Sequence, residues 1–130
     1  MDLPLFVLEG VVTPGNRIGR TLGLPTANLP LSGDTPPLGV YAARVILPDG
    51  SAYTAVTDVG QRPTVASGSA VRAESHLCDF SGDLYGKRIR VELWHFLRPE
   101  RRFDSMEALA AEIRRNIMQA TAYFAAADAV

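Results

Sequence analysis

Glycine and proline divide residues 10–86 into short apolar segments, and this punctuation constrains the fold more than any other feature of the sequence. Segments this short favour β-strands, because a helix needs a longer uninterrupted stretch. The first hundred residues are therefore predicted to be mostly β. Several short strands without intervening helices favour a closed or nearly closed barrel, since closure removes exposed strand edges.

Two antiparallel strand pairs are predicted. The clearer pair joins residues 41–47 to residues 52–57 through a turn in which Asp49-Gly50 supplies the tight-turn chemistry. The other pair joins residues 71–80 to residues 87–97 through a turn at residues 81–83. Apolar residues alternate with polar ones along its second strand, as expected for a strand with one buried face.

After Pro99 the spacing of apolar residues changes to three or four, which predicts one amphipathic helix. The apolar positions of this helix are Leu109, Ile113, Ile117 and Phe124. Its polar residues fall largely on other faces, at Glu107, Glu112, Arg114, Arg115 and Gln119. The helix is predicted to begin near Ser105, because Asp104 with Glu107 resembles a capping box and Ser105 offers an alternative cap.

Size and composition suit one domain and exclude several classes of function. The chain has 130 residues and a net charge of −1, so no global positive field attracts nucleic acid or an anionic membrane. The single cysteine, Cys78, cannot form an internal disulfide, and with His76 and His95 it does not make a zinc-ligand spacing. Without a basic leader or a long apolar run, the chain is expected to be cytoplasmic.

The most glycine-rich segment spans residues 15–28. Gly15, Gly19 and Arg20 lie in its first half. It is not a P-loop, because the gap between the glycines is one residue too short, Arg20 replaces the lysine, and Gly23 and Pro25 prevent the following helix. The glycines could still form a concave nest of backbone amides that binds phosphate. An ordinary turn is the alternative, and glycine content alone favours it.

Thr26 and Asn28 lie two residues apart, which in an extended segment directs both side chains to one face. Their oxygens could hold Mg²⁺ if water and substrate phosphates completed its shell. A turn-forming role for both residues is the alternative, and spacing alone favours it.

Glu74 shares one strand face with Arg72 and His76 by the same two-residue period. In a phosphoryl-transfer site such a carboxylate can accept the proton of the attacking hydroxyl. The alternative is a solvated outer face, where strand carboxylates are common.

Taken in order, these segments resemble the riboflavin kinase family, including the kinase module of bifunctional FAD synthetases. Residues 19–29 resemble the specific Gly-Arg-x-Leu-Gly-Phe-Pro-Thr-Ala-Asn signature of that family. Residues 39–41, 60–64 and 74–76 resemble its Gly-Val-Tyr strand start, its Gly-x-Arg-Pro-Thr loop and its Glu-x-His segment. The resemblance covers roughly residues 6–124, with departures that include Asp58 in place of a frequent Asn and Asn116 in place of a usual Asp.

The resemblance implies a mainly β fold, a six-stranded antiparallel Greek-key β-barrel with a C-terminal α-helix, formed by residues 1–130 as one domain. It implies a riboflavin kinase that makes FMN and ADP from riboflavin and ATP with Mg²⁺. ATP and phosphate binding are then expected at Gly15, Gly19, Arg20, Thr26 and Asn28. Thr26 and Asn28 would also hold the metal, Glu74 would be the catalytic base, and Arg98 and Arg114 would contact the flavin.

The alternative function is a non-catalytic flavin- or nucleotide-binding barrel module. The presence of Thr26, Asn28 and Glu74 together argues against it, because binding alone needs no base. Neither nucleic acid nor a membrane is expected as a partner, and a monomer is expected.

Overall fold

The computed structural model describes residues 3–14, 23, 25–64 and 68–129. Within these ranges six strands precede one helix, which confirms the predicted order of elements. The strands are β1 (Phe6–Val11), β2 (Thr26–Pro30), β3 (Gly39–Ile46), β4 (Ala52–Thr64), β5 (Gly68–Leu77) and β6 (Arg88–Arg98). The helix, α1, spans Met106–Asp128.

The strands form one antiparallel sheet in the order β1-β6-β3-β4-β5-β2. A β-bridge between Thr13 and Asn28 joins the segment after β1 to β2, so the sheet curls until its two outer strands approach each other. Strand order departs from chain order because β6 lies between β1 and β3, as in Greek-key arrangements. The predicted six-stranded antiparallel architecture with a C-terminal helix is confirmed.

The predicted hairpin between β3 and β4 is also confirmed. Its turn is stabilised by Asp49, whose Oδ1 accepts hydrogen bonds from the backbone N (2.9 Å) and the Oγ (2.6 Å) of Ser51. Gly50 follows with a φ of 88°, a left-handed conformation that costs glycine little. The Asp-Gly pair therefore acts as the sequence predicted.

The predicted pairing of residues 71–80 with residues 87–97 is wrong, although both segments contain strands. β5 pairs with β2 and β4, whereas β6 pairs with β1 and β3. The connection between β5 and β6 does not form a hairpin. It packs against the core instead, where Leu84 is buried. Backbone hydrogen bonds also tie Val12 to Gly86 (3.0 Å) and Lys87 (2.9 Å), so the chain reaches the end of β1 before it enters the sheet as β6, between β1 and β3.

The two faces of the sheet bury different residues. The interior of the curled sheet holds the larger cluster, which includes Leu29, Tyr41, Val45, Val59 and Ala73. On the outer face, α1 packs Ala120 and Phe124 against a second apolar cluster, formed by Val40, Ala42 and Val56. Alternation at period two along the strands produces both clusters.

Helix α1 begins at the alternative cap. Ser105 is the N-cap, and its Oγ accepts a hydrogen bond of 3.0 Å from the backbone N of Ala108. This bond satisfies one of the amides that a helix N-terminus leaves without an intrahelical acceptor.

In the described part of the chain, no helix has the length and apolarity that crossing a membrane requires.

We expect Gly39→Ala to lower the free energy of unfolding by about 3 kcal/mol. Gly39 has a φ of 150°, and a Cβ there would overlap the Phe96 ring and lie 2.8 Å from the carbonyl oxygen of Arg98. Gly50→Ala is the control, because its Cβ would meet no atom within 4 Å and only the backbone conformation is penalised, by about 1–2 kcal/mol. Urea denaturation of both variants checks this, and an equal loss in both would contradict it.

Candidate functional site

The strand register brings the predicted site residues to one face. Asn28 on β2 lies directly opposite Glu74 on β5, and Glu74 lies opposite Asp58 on β4. In the adjacent row, Thr26 lies opposite His76. Directly opposed residues in antiparallel strands point to the same face, with Cβ atoms about 4.5–5.5 Å apart. The face is the outer one, because neighbouring residues of opposite orientation, Ala27 on β2 and Ala73 on β5, lie in the interior cluster.

A cleft of about 570 Å³ lies beside this row of side chains. Strand residues form one wall, and the segment before α1 together with its first turns forms the other. The strand wall consists of Val40, Val56, Asp58, Glu74, His76 and Arg98, and the opposite wall of Glu100, Arg101, Phe103, Asp104, Ser105, Met106, Leu109 and Ile113. The volume suits a small organic ligand, and the mixture of apolar walls with a few polar groups is typical of such sites.

Glu74 is buried, with 3% of its surface exposed. The alternative that it belongs to a solvated outer face is therefore wrong. Burying a carboxylate is costly and requires polar or charged partners. Its position in the wall of the cleft makes it available to a bound ligand.

Asn28 presents an acceptor that no described group uses. Its Nδ2 donates to Thr13 Oγ1 (2.9 Å) and to the carbonyl oxygen of Pro14 (3.5 Å). Its Oδ1 is buried and, among the described residues, has no hydrogen-bond partner. Leaving such an oxygen without a partner costs about 1–3 kcal/mol, which a bound cation would recover. The donor set therefore fits Mg²⁺, which prefers oxygen ligands.

His76 contacts the other predicted metal ligand. Its Nδ1 lies 3.3 Å from the hydroxyl oxygen of Thr26, and the ring is 3% exposed. Burial lowers the pKa of His76 to about 4, although the negative charge of Asp58 opposes this shift. The ring is therefore neutral near pH 7. The sequence placed His76 on the face of Glu74 through the Glu-x-His spacing but gave it no role.

Arg98 joins β6 to α1 at the edge of the cleft. Its Nε donates to Asn116 Oδ1 (3.0 Å) and lies 3.1 Å from Glu112 Oε2. Asn116 Nδ2 in turn donates to Glu112 Oε2 (3.1 Å). The prediction that Glu112 belongs to the polar face of the helix is wrong, because its side chain is buried in this network.

Several predicted site residues lie elsewhere. Arg114 is exposed on α1 and is not among the residues that line the cleft, so its contact with flavin stays a prediction. Gly15, Gly19 and Arg20 lie outside the described residues. The described residues on either side of that segment meet β2 and β5: Pro14 contacts Asn28, and the carbonyl oxygen of Pro25 accepts a hydrogen bond from Leu77 N (3.0 Å).

Comparison of the sequence with known proteins finds relatives that all share one description. Residues 4–124 match the family model Flavokinase, described as riboflavin kinase. A bifunctional riboflavin kinase/FMN adenylyltransferase of Escherichia coli is 42% identical over 120 residues, covering 92% of this chain and 38% of that protein. The protein of the same description from Haemophilus influenzae is 40% identical, and that from Bacillus subtilis 33%; each alignment covers 92% of this chain and 39% of the relative.

A solved structure from Streptococcus pneumoniae, described as a macrolide-efflux protein, superimposes with a TM-score of 0.74 at 34% identity. The match covers 86% of this chain and 36% of that one. The chain thus spans about two fifths of the length of the curated relatives it matches.

We expect Glu112→Gln to lower the free energy of unfolding by about 2 kcal/mol at pH 7, because the charged hydrogen bonds to Asn116 and Arg98 are weakened. Burial acts to raise the pKa of Glu112, but the hydrogen bond from Asn116 and the nearby arginines outweigh it and hold the pKa below its ordinary 4.5. A depressed pKa stabilises the folded state above pH 4.5, and this contribution is lost as the pH falls through the folded value.

The difference between wild type and Glu112→Gln should therefore shrink as the pH falls below 4.5, as measured by urea denaturation at several pH values. Glu107→Gln, at an exposed position in the first turn of α1, is the control and should change stability little. A difference that stays constant down to pH 3 would contradict the network.

Proposed function

The chain belongs to the riboflavin kinase family, and on this premise we propose that it transfers the γ-phosphoryl group of ATP to the 5′-hydroxyl of riboflavin, giving FMN and ADP. The observation that carries the proposal is the row formed by Asn28 and Glu74, with Thr26 beside it, at the wall of a cleft of ligand size. Phosphoryl transfer needs positioning, charge stabilisation and a base, and this row supplies candidates for each.

Glu74 is the proposed general base. As the 5′-oxygen of riboflavin forms its bond to the γ-phosphorus, the bond from that phosphorus to the β-γ bridging oxygen breaks and ADP leaves. The hydroxyl proton passes to the Glu74 carboxylate. Burial of this carboxylate strengthens its interaction with that proton, because little water competes for it.

Thr26 Oγ1 and Asn28 Oδ1 are the proposed protein ligands of Mg²⁺. The buried Asn28 oxygen supports this role, because no described group donates to it. When bound, Mg²⁺ would neutralise charge on the phosphoryl oxygens. Gly15, Gly19 and Arg20 are proposed to hold the ATP phosphates through backbone amides and the guanidinium group.

The cleft is the proposed flavin site. Val40, Val56, Leu109 and Ile113 offer apolar surface for the flat ring system, and Phe103 adds an aromatic face. Arg98 lines the same cleft and can donate to the polar edge of the flavin. The ion pair with Glu112 holds the Arg98 side chain in place.

A non-catalytic flavin- or nucleotide-binding module is the less favoured alternative. Binding alone needs no general base, whereas the cleft wall holds a buried carboxylate next to Asn28. Under the proposal, residues 1–130 form one kinase domain with a core at residues 6–124. It acts as a monomer in the cytoplasm, without nucleic acid or a membrane as partner.

The decisive assay incubates the protein with riboflavin, ATP and Mg²⁺ and separates the flavins by chromatography. The proposal predicts that FMN accumulates together with ADP. Flavin binding without formation of FMN would instead favour the binding module.

We expect Glu74→Gln to keep the fold and to lower the turnover number by about 10²- to 10⁴-fold, because the amide cannot accept the hydroxyl proton. Steady-state FMN formation measures the loss, and circular dichroism checks the fold. Glu9→Gln, a strand glutamate outside the cleft, should keep wild-type turnover. Full activity in Glu74→Gln would remove Glu74 from the mechanism.

We expect removal of divalent cations with a chelator to abolish FMN formation and to leave the melting temperature unchanged. The reason is that Mg²⁺ takes most of its ligands from water and phosphates and therefore arrives with the nucleotide. Chromatography and thermal denaturation measure the two effects. Continued turnover in excess chelator would contradict the proposed role of Asn28 and Thr26.

A further inference from the structure

We propose that His76 is a positioning residue: its Nδ1 accepts the Thr26 hydroxyl proton and thereby directs the Thr26 oxygen lone pairs toward the cation that accompanies the nucleotide. This inference rests on the proposed function and deepens it, because it assigns an orienting group to one proposed metal ligand. Its evidence is the geometry of β2, β5 and β4.

The contact between the two side chains follows from the sheet. Thr26 and His76 are directly opposed on β2 and β5, and Thr26 Oγ1 lies 3.3 Å from His76 Nδ1. A threonine hydroxyl has one proton and two lone pairs, and it rotates to suit its neighbours. If that proton pointed into the site, it would repel a cation. A fixed acceptor on the opposite side prevents this orientation.

The neighbours of the ring favour the tautomer that this role needs. A neutral imidazole has one donor nitrogen and one acceptor nitrogen. Because β5 lies between β2 and β4, Thr26 flanks His76 on one side, and Val56 with Asp58 diagonally beyond it flanks the other. A carboxylate on the β4 side of the ring favours the tautomer whose N–H group points away from Thr26. Nδ1, which faces Thr26, is then the acceptor.

Packing keeps the ring in this orientation. His76 is 3% exposed and lies opposite Val56 on β4, so the imidazole has little room to rotate. Groups that orient a metal ligand without touching the metal typically change metal affinity or activity by about 10- to 100-fold when removed. His76 therefore belongs to the machinery of the cation site and is more than a packing residue.

The test measures binding of ADP to the full chain by calorimetry at several Mg²⁺ concentrations. His76→Leu should raise the Mg²⁺ concentration needed for tight ADP binding by about 10-fold or more. His76→Asn should recover most of this loss, because its amide reaches the position of Nδ1. His76→Gln should not, because its amide extends past that position.

The second histidine is the matched control. His95 is exposed and stacks on Tyr123, with the ring centroids 4.8 Å apart, and it does not line the cleft. His95→Asn should therefore bind ADP with the wild-type dependence on Mg²⁺. Equal Mg²⁺ dependence in wild type and His76→Leu would overturn the inference. If His76→Leu does not fold, equal Mg²⁺ dependence in His76→Asn and His76→Gln would overturn it instead.

A double-mutant cycle separates positioning from a structural role. If His76 acts through Thr26, the variant that combines Thr26→Ala with His76→Leu should need no more Mg²⁺ than Thr26→Ala alone. Losses that add would show that His76 acts independently, and would overturn the inference. Absence of FMN formation by the wild type would instead refute the proposed function, whatever the histidine variants do.

Discussion

The antiparallel pairing of β2 with β5 is the constraint on which the candidate site depends. It sets Asn28 opposite Glu74 and Thr26 opposite His76 on the outer face of the sheet. The apolar residues that alternate with them, such as Ala27 and Leu29, fill the interior. A shift of one residue would move the polar set inward and the apolar set outward. The hydrophobic core therefore fixes the geometry of the site without contacting any ligand.

The site is costly to the folded state. Asn28, Glu74 and His76 are almost fully buried, where apolar residues of similar size would be less costly. Such local conflicts with stability are common where proteins bind or react with ligands. Helix α1 forms the opposite wall of the cleft, and the contacts of Arg98 with Glu112 and Asn116 attach it to β6. The buried polar residues of the strand wall and the ion pair that holds the helix wall thus border the same cleft.

Local patterns predicted local structure well. Period-two alternation located strands, Asp49-Gly50 located the hairpin turn, and Ser105 located the start of the helix. Alternation could not reveal which strands are neighbours, so the partners of β5 and β6 were predicted wrongly. It also could not reveal what covers a face, so the solvated-face alternative for Glu74 and the polar-face prediction for Glu112 were both wrong. The roles of Thr26, Asn28 and Glu74 came from the family resemblance, since their spacing alone favoured ordinary turns and an exposed strand.

The most direct measurement is a crystal structure of the chain with Mg²⁺, ADP and riboflavin. The account predicts that Thr26 Oγ1 and Asn28 Oδ1 coordinate the cation, and that the Glu74 carboxylate lies within about 2.6–3.2 Å of the riboflavin 5′-oxygen. A flavin bound outside the cleft, or a cation held without Thr26 and Asn28, would contradict it.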